Sequence, residues 1–262
     1  EIVGCDWSSD VCSSDLSSTA WDLTLREAPA LYSATGPGVN RSVKPDLYHI
    51  GGRLLFTKPP PSSESEIALS IARTGRTGPG VQVAAPGEGG DTDRTRFDYG
   101  TSHATALVTR KASLLFDILE TEPDEGALAL PDALFHPLLV RALLAHACSW
   151  GDWRTAVSPQ SSRKVLTPLF GYGRLDPERA RGAVNRAVVI AGNEIGVNKR
   201  HTYELPLPLS IRSKAEWHRF VITLAYWAPT TRGLNTYRAA KVYFNAPLVR
   251  SEERRVGKEC RS

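Results

Sequence analysis

The stretch Gly100-Thr101-Ser102-His103-Ala104, which opens SHATALVTRKASLLFDILE (102–120), decides how the rest of the chain is read. Ahead of it, GEGGDTDRTRFDYG (87–100) is polar and glycine-rich and predicts an exposed loop. From Ser102 onward helix formers dominate, and Ala104, Leu107, Val108, Leu115, Ile118 and Leu119 recur at helical spacings. A serine is therefore expected at the start of a long helix, where its hydroxyl has two uses. It can serve as an ordinary N-cap. It can also be a nucleophile, provided a base activates it. The free N–H groups and positive dipole end of the helix would then face the oxyanion formed on attack. Gly100 lets the backbone approach closely where a substrate must fit. Taken alone, the string favours the cap.

Residues 17–101 are turn-rich with short extended pieces. YSATGPGVNRSVKPDLYHIGGRLLF (32–56) sets Gly and Pro every few residues around short apolar runs, the pattern of loops between buried strands. GVQVAAPG (80–87) predicts a short strand and a turn. Downstream, a second helix is predicted from about Pro137 through LLVRALLAHACSW, with Gly151 as its stop. It is apolar almost all round, which predicts burial. A Ser/Pro loop (158–168) precedes FGYGRLDPERA (170–180), read as a turn leading into a short helix. Beyond residue 184, AVVIAG, HTYELPLPLSI, HRFVITLAYW and TYRAAKVYFNA are strand-like. Residues 184–249 are thus expected to form a small β-sandwich-like module behind the domain spanning 17–183.

The chain has 262 residues, 41% apolar and 23% charged, proportions of an ordinary globular protein with one large domain or slightly more. No run of about 18 apolar residues is present, so no membrane-spanning helix is expected. Nothing at the start reads as a secretory signal. The two ends stand apart. DWSSDVCSSDL (6–16) and RSEERRVGKECRS (250–262) have no structural period and resemble translated short-read sequencing adaptors. Residues 1–16 and 250–262 are therefore expected to lie outside the native domain, the alternative being natural disordered tails. That sets aside Cys5, Cys12 and Cys260 and leaves Cys148, which predicts no disulfide framework and a lean toward a reducing, cytoplasmic compartment. The remainder carries 27 basic and 21 acidic residues, a net charge of +6 in place of +4 for the whole chain. This excess is spread along the sequence, so no nucleic-acid partner is expected.

Four strings change the weight given to Ser102: SATGPG (33–38), VKPDL (43–47), VAAPG (83–87) and GTSHATA (100–106). Their order and approximate spacing resemble the subtilisin-like serine proteases, or subtilases, over roughly residues 32–183. FGYGRLD (170–176) resembles the Gly-rich turn after a later helix of that family, and the C-terminal module resembles the extra domain of some longer bacterial subtilases. Ala106 departs from the pattern, standing where most subtilases have proline. The resemblance implies a doubly wound α/β domain with a mostly parallel sheet. It implies hydrolysis of a polypeptide substrate through an acyl-enzyme on Ser102, within the motif of Gly100 and Thr101, and without a cofactor. The Ser102 backbone N–H would be one oxyanion donor and an upstream Asn side chain the other.

In subtilases the triad runs Asp, His, Ser, which puts both partners before residue 32. His49 is the one histidine before Ser102, in LYHIGG, outside a His-Gly-Thr context. Asp22 and Asp46 are outside an Asp-Ser/Thr-Gly motif, and the first asparagine is Asn40. The chain is accordingly expected to be a C-terminal piece of such a protease, cut at a fragment boundary and inactive alone. His103 is expected to line the cleft or pack, His136 and His146 to pack in the second helix, and His201 and His218 to lie on the surface of the β-module. No metal spacing occurs, and GEGGDTD (87–93) lacks the pattern of a calcium loop. Two rivals remain. An α/β-hydrolase would use GTSHA as its elbow, with Asp152 or Asp176 and His201 or His218 downstream, although the elbow normally follows a buried strand. A pseudoprotease or binding module would keep the fold without the chemistry.

Overall fold

The computed structural model of the protein describes residues 2–5, 20–21, 23, 29–38, 42–57, 66, 68–72, 80–121, 132–151, 163–176, 179, 194–203, 221–229 and 242–243. In chain order the elements are β1 (Ile2–Cys5), β2 (Ala20–Trp21), β3 (Leu47–Ile50), β4 (Phe56–Thr57), β5 (Ser70–Ile71), β6 (Val81–Ala84), β7 (Thr95–Asp98), α1 (Thr101–Glu120), α2 (His136–His146), β8 (Cys148–Ser149), α3 (Arg163–Phe170) and β9 (Arg174–Leu175). Two compact units result, one of Glu1–Lys111 with Ser149–Leu175, the other of Ala112–Cys148 with Asp176–Ser262.

The first unit is organised around β3. Leu47, Tyr48 and His49 are all buried there, so the strand is covered on both faces, as strands of parallel sheets are. Its sheet has the order β1-β3-β9-β8, with β1 parallel to β3 from Ile2↔Leu47 to Cys5↔Ile50 and β9 parallel to β3 at Tyr48↔Arg174. Ile2–Cys5 falls in the segment set aside on sequence grounds, yet it pairs along the whole of β3; residues 6–16 and 250–262 lie outside the described residues. The other sheets are antiparallel: β2-β4-β5, and the two-stranded β6-β7 ribbon.

The core of this unit is Tyr48, Leu166 and Phe170, with Trp150 and Leu169 against it. Leu166, Leu169 and Phe170 sit at i, i+3 and i+4, which puts one apolar stripe of α3 on the strand. The rings of Tyr48 and Phe170 meet at 5.6 Å in a tilted pair, and the Trp150 indole N–H donates to the Gly171 carbonyl at 3.0 Å. Residues 163–168 were expected as loop from their Ser and Pro content; the burial of Leu166 and Phe170 overrides that local preference.

In the second unit, Leu119, Val140 and Leu143 form the core, packed by Ala112, Leu115, Phe116, Leu139 and Leu144. Helix α2 has Pro137 in its first turn, as predicted, but it buries one face, not its whole surface: His136, Val140 and Leu143 are buried and Arg141 is exposed. It also ends at His146, short of the predicted stop at Gly151, because Cys148–Ser149 is taken up as strand β8. Of the β-module expected over 184–249, residues 194–203, 221–229 and 242–243 are described and none is in a strand; the remainder lies outside the described residues.

Candidate functional site

Helix α1 begins at Thr101 and runs 20 residues, so Ser102 occupies its first turn. Ala104 and Val108, four residues apart, are buried at 0% and 2% exposure. That anchoring face turns Ser102 and Thr105 outward, and Ser102 is exposed. Thr105 and Thr109 donate their hydroxyls back to the carbonyls of Thr101 and Thr105, at 3.0 and 2.9 Å. Thr101 and Ser102 are at the end of the helix where backbone N–H groups have no intrahelical acceptor, which is the polarity an anion requires.

The entry to this helix is tied down from several directions. The Gly100 N–H donates to the Gly51 carbonyl at 2.7 Å, and the His103 N–H to the Gly100 carbonyl at 3.1 Å. The Tyr32 hydroxyl lies 3.1 Å from the carbonyl oxygens of both Gly51 and Gly52, and its ring packs on Tyr99 at 5.5 Å. Strand β7 leads directly into the helix. Its polar, glycine-rich surroundings predict an exposed loop, but Thr95–Asp98 pairs antiparallel with Val81–Ala84, from Val81↔Asp98 to Ala84↔Thr95. Its first two residues are exposed and the next two half-buried. The strand before Ser102 therefore belongs to an exposed ribbon and not to a buried parallel sheet, unlike the strand an α/β-hydrolase elbow follows.

The sequence motifs converge within this unit. The Gly36 N–H of SATGPG donates to the Pro168 carbonyl of α3 at 2.9 Å. Asp46 of VKPDL pairs with Lys44 at 2.5 Å, and its carbonyl accepts from the Tyr172 N–H of FGYG at 2.8 Å. Tyr48 N–H donates to the Gly173 carbonyl at 3.1 Å. Asp98, Tyr32 and Tyr99 were not identified from sequence. The only trace there is an acid two residues before Gly100, which spacing alone does not single out.

His49 is brought elsewhere. It is buried in β3, with Nε2 2.6 Å from Lys111 Nζ and Nδ1 buried without a hydrogen-bond partner. Burial, then the charges of Lys111 and Arg174, pull it down to about 4. Lys111 stands nine residues beyond Ser102, about 13 Å along the helix axis. Among the described residues no hydrogen bond joins His49 or Asp46 to Ser102; Asp22 and His218 lie outside them.

The remaining histidines pack or bond locally. His136 is buried edge-on to Phe116, with ring centroids 6.0 Å apart. His146 Nδ1 lies 3.0 Å from Thr223 Oγ1, and burial and then Arg179 lower its proton affinity. His201 Nε2 lies 2.7 Å from the Glu194 carbonyl. Among the described residues no cluster of three His, Cys, Asp or Glu could hold a metal, and no helix is long and apolar enough to cross a membrane.

The Cys148 thiol donates to the Leu144 carbonyl at 3.1 Å. Burial pushes it up to about 12, with Arg179 opposing. Only the thiolate alkylates readily. Peptide mapping after iodoacetamide at pH 8 should therefore find Cys148 unmodified in the native chain and fully modified in urea.

No family model and no solved structure matches the chain. It is similar to an uncharacterised protein, y4bN, of Sinorhizobium fredii (strain NBRC 101917 / NGR234), with 24% identity over 232 residues. The match covers 88% of this chain and 48% of that protein, so the chain spans about half the length of the curated relative it matches.

Proposed function

We propose that the chain is the nucleophile-bearing part of a subtilisin-type serine endopeptidase, with an α/β subtilisin-like domain and Ser102 as nucleophile. The observation that carries this reading is an exposed serine in the first turn of a 20-residue helix, in the same unit as the SATGPG, KPD and FGYG segments. Ser102 Oγ would attack the scissile carbonyl and pass its proton to a histidine. The Ser102 N–H would hold the oxyanion with an Asn side chain, and the amine would leave with that proton. Water then hydrolyses the ester and regenerates the serine. The histidine, its aspartate and the Asn would come from sequence outside these 262 residues, and the chain alone is expected not to turn over substrate.

The test begins with sequencing the source DNA across the 5′ boundary of the frame. The reading expects Asp-Ser/Thr-Gly, His-Gly-Thr and an Asn in frame, in that order. In the complete protein, Ser102→Ala should then lower peptide hydrolysis about 10⁴-fold or more and abolish labelling by a fluorophosphonate. A frame without those residues would sink the protease and leave a binding module, and an unchanged rate in Ser102→Ala would remove Ser102 as the nucleophile.

A further inference from the structure

Resting on that reading, we infer that Asp98 is the positioning residue for Ser102, holding the Tyr99–Gly100 turn and the first turn of α1 in one arrangement. Three groups converge on its half-buried carboxylate. Oδ1 accepts from the Tyr99 backbone N–H at 2.9 Å. Oδ2 lies 3.3 Å from Arg96 Nη2 and 3.7 Å from His103 Nε2, the latter an ion pair when the imidazole is protonated. Arg96 precedes Asp98 on β7, whereas His103 directly follows Ser102 on α1. One side chain thus bridges the strand, the turn and the helix that carries the nucleophile.

The backbone of Asp98 is held as closely as its side chain. It pairs with Val81 at the end of the ribbon. A Cβ placed on Gly52 would come within 2.6 Å of the Asp98 carbonyl oxygen, so the segment after β3 rests directly on it. Two residues later, the Gly100 N–H is bonded to Gly51. With its main chain pinned, Asp98 transmits position to Tyr99 through a charge-assisted bond and sits against the His103 ring, with Oδ2 3.7 Å from Nε2. Misplacement of a nucleophile by about 1 Å can cost on the order of 100-fold in rate, so a bridge of this kind acts on the chemical step without touching substrate.

The experiment uses the complete protein and follows fluorophosphonate labelling and peptide hydrolysis in four proteins: wild type, Ser102→Ala, Asp98→Ala and Asp98→Asn. Asp98→Ala should slow labelling and lower kcat by roughly 10- to 100-fold, with KM within about twofold of wild type. Asp98→Asn keeps an acceptor for the Tyr99 N–H without the charge, and should recover part of the rate at an unchanged melting midpoint. A wild-type rate in Asp98→Ala, or in a folded Asp98→Asn no recovery together with a raised KM, would overturn the positioning role while Ser102 stands. If wild type is not labelled, or Ser102→Ala still is, the serine reading falls, and the role of Asp98 with it.

Discussion

Gly171→Ala is expected to destabilise the protein by roughly 3 kcal/mol or more, among the larger effects a single methyl group can have. Gly171 follows α3 with φ +56°, a left-handed conformation in which a side chain is strained. Its added Cβ would fall 2.0 Å from the Pro45 carbonyl oxygen and 2.6 Å from that of Asp46. Those are backbone atoms, and they have little room to yield. The Tyr172 N–H is bonded to the Asp46 carbonyl, and the Gly171 carbonyl accepts from Trp150. The turn is therefore clamped between the KPD segment and the Tyr48–Phe170 core. Gly89 provides the control. It has φ +73° with nothing within 4 Å of its Cβ position, so Gly89→Ala should cost only the conformational strain, about 1 kcal/mol. Urea denaturation of both variants separates the two terms; equal losses would show that packing against Pro45 is not what holds Gly171.

Stability is expected to fall as the pH drops from 6.5 toward 4, by up to about 3 kcal/mol from His49, at 1.36 kcal/mol for each pH unit of pKa difference. Native His49 is held neutral down to about 4 by burial and by the Lys111 and Arg174 charges, against an ordinary value of 6.5. Between those values the unfolded chain binds a proton on His49 that the native state does not, so acid favours unfolding. Above 6.5 the residue is neutral in both states and contributes no slope. His146, also lowered, acts in the same direction. The measurement is the urea midpoint at half-unit steps from pH 7.5 to 4 for wild type and His49→Leu. The difference between the two curves isolates His49, and its slope in this window should vanish in the variant. Identical slopes would mean that the buried Nδ1 and the Lys111 contact do not govern the acid limit.

Much of α1 was legible in the residues alone. Gly100, the helix formers after it and the spacing of Ala104, Val108 and Leu119 define a helix from its own chemistry, and it begins and ends within a residue of that reading. The position of Ser102 at its start follows from the same local information. The grouping of SATGPG, VKPDL, GTSHATA and FGYG into one compact unit was not derivable from any one of them. Each is a short turn or strand end whose partners lie far away in sequence.

The helix that carries Ser102 and the turn chemistry around it follow from local terms, because helix propensity, periodicity and glycine content act over a few neighbouring residues. Long-range contacts settled the remaining elements. Thr95–Asp98 became a strand because Val81–Ala84 is there to pair with it, and 163–170 became a helix because Leu166 and Phe170 find Tyr48. Helix α2 stopped at His146 because the next residues were taken up by a sheet. His49, the one histidine available before Ser102, was committed to Lys111. In each case a contact between residues distant in sequence outweighed a local preference of a kcal/mol or less, as burial and pairing commonly do.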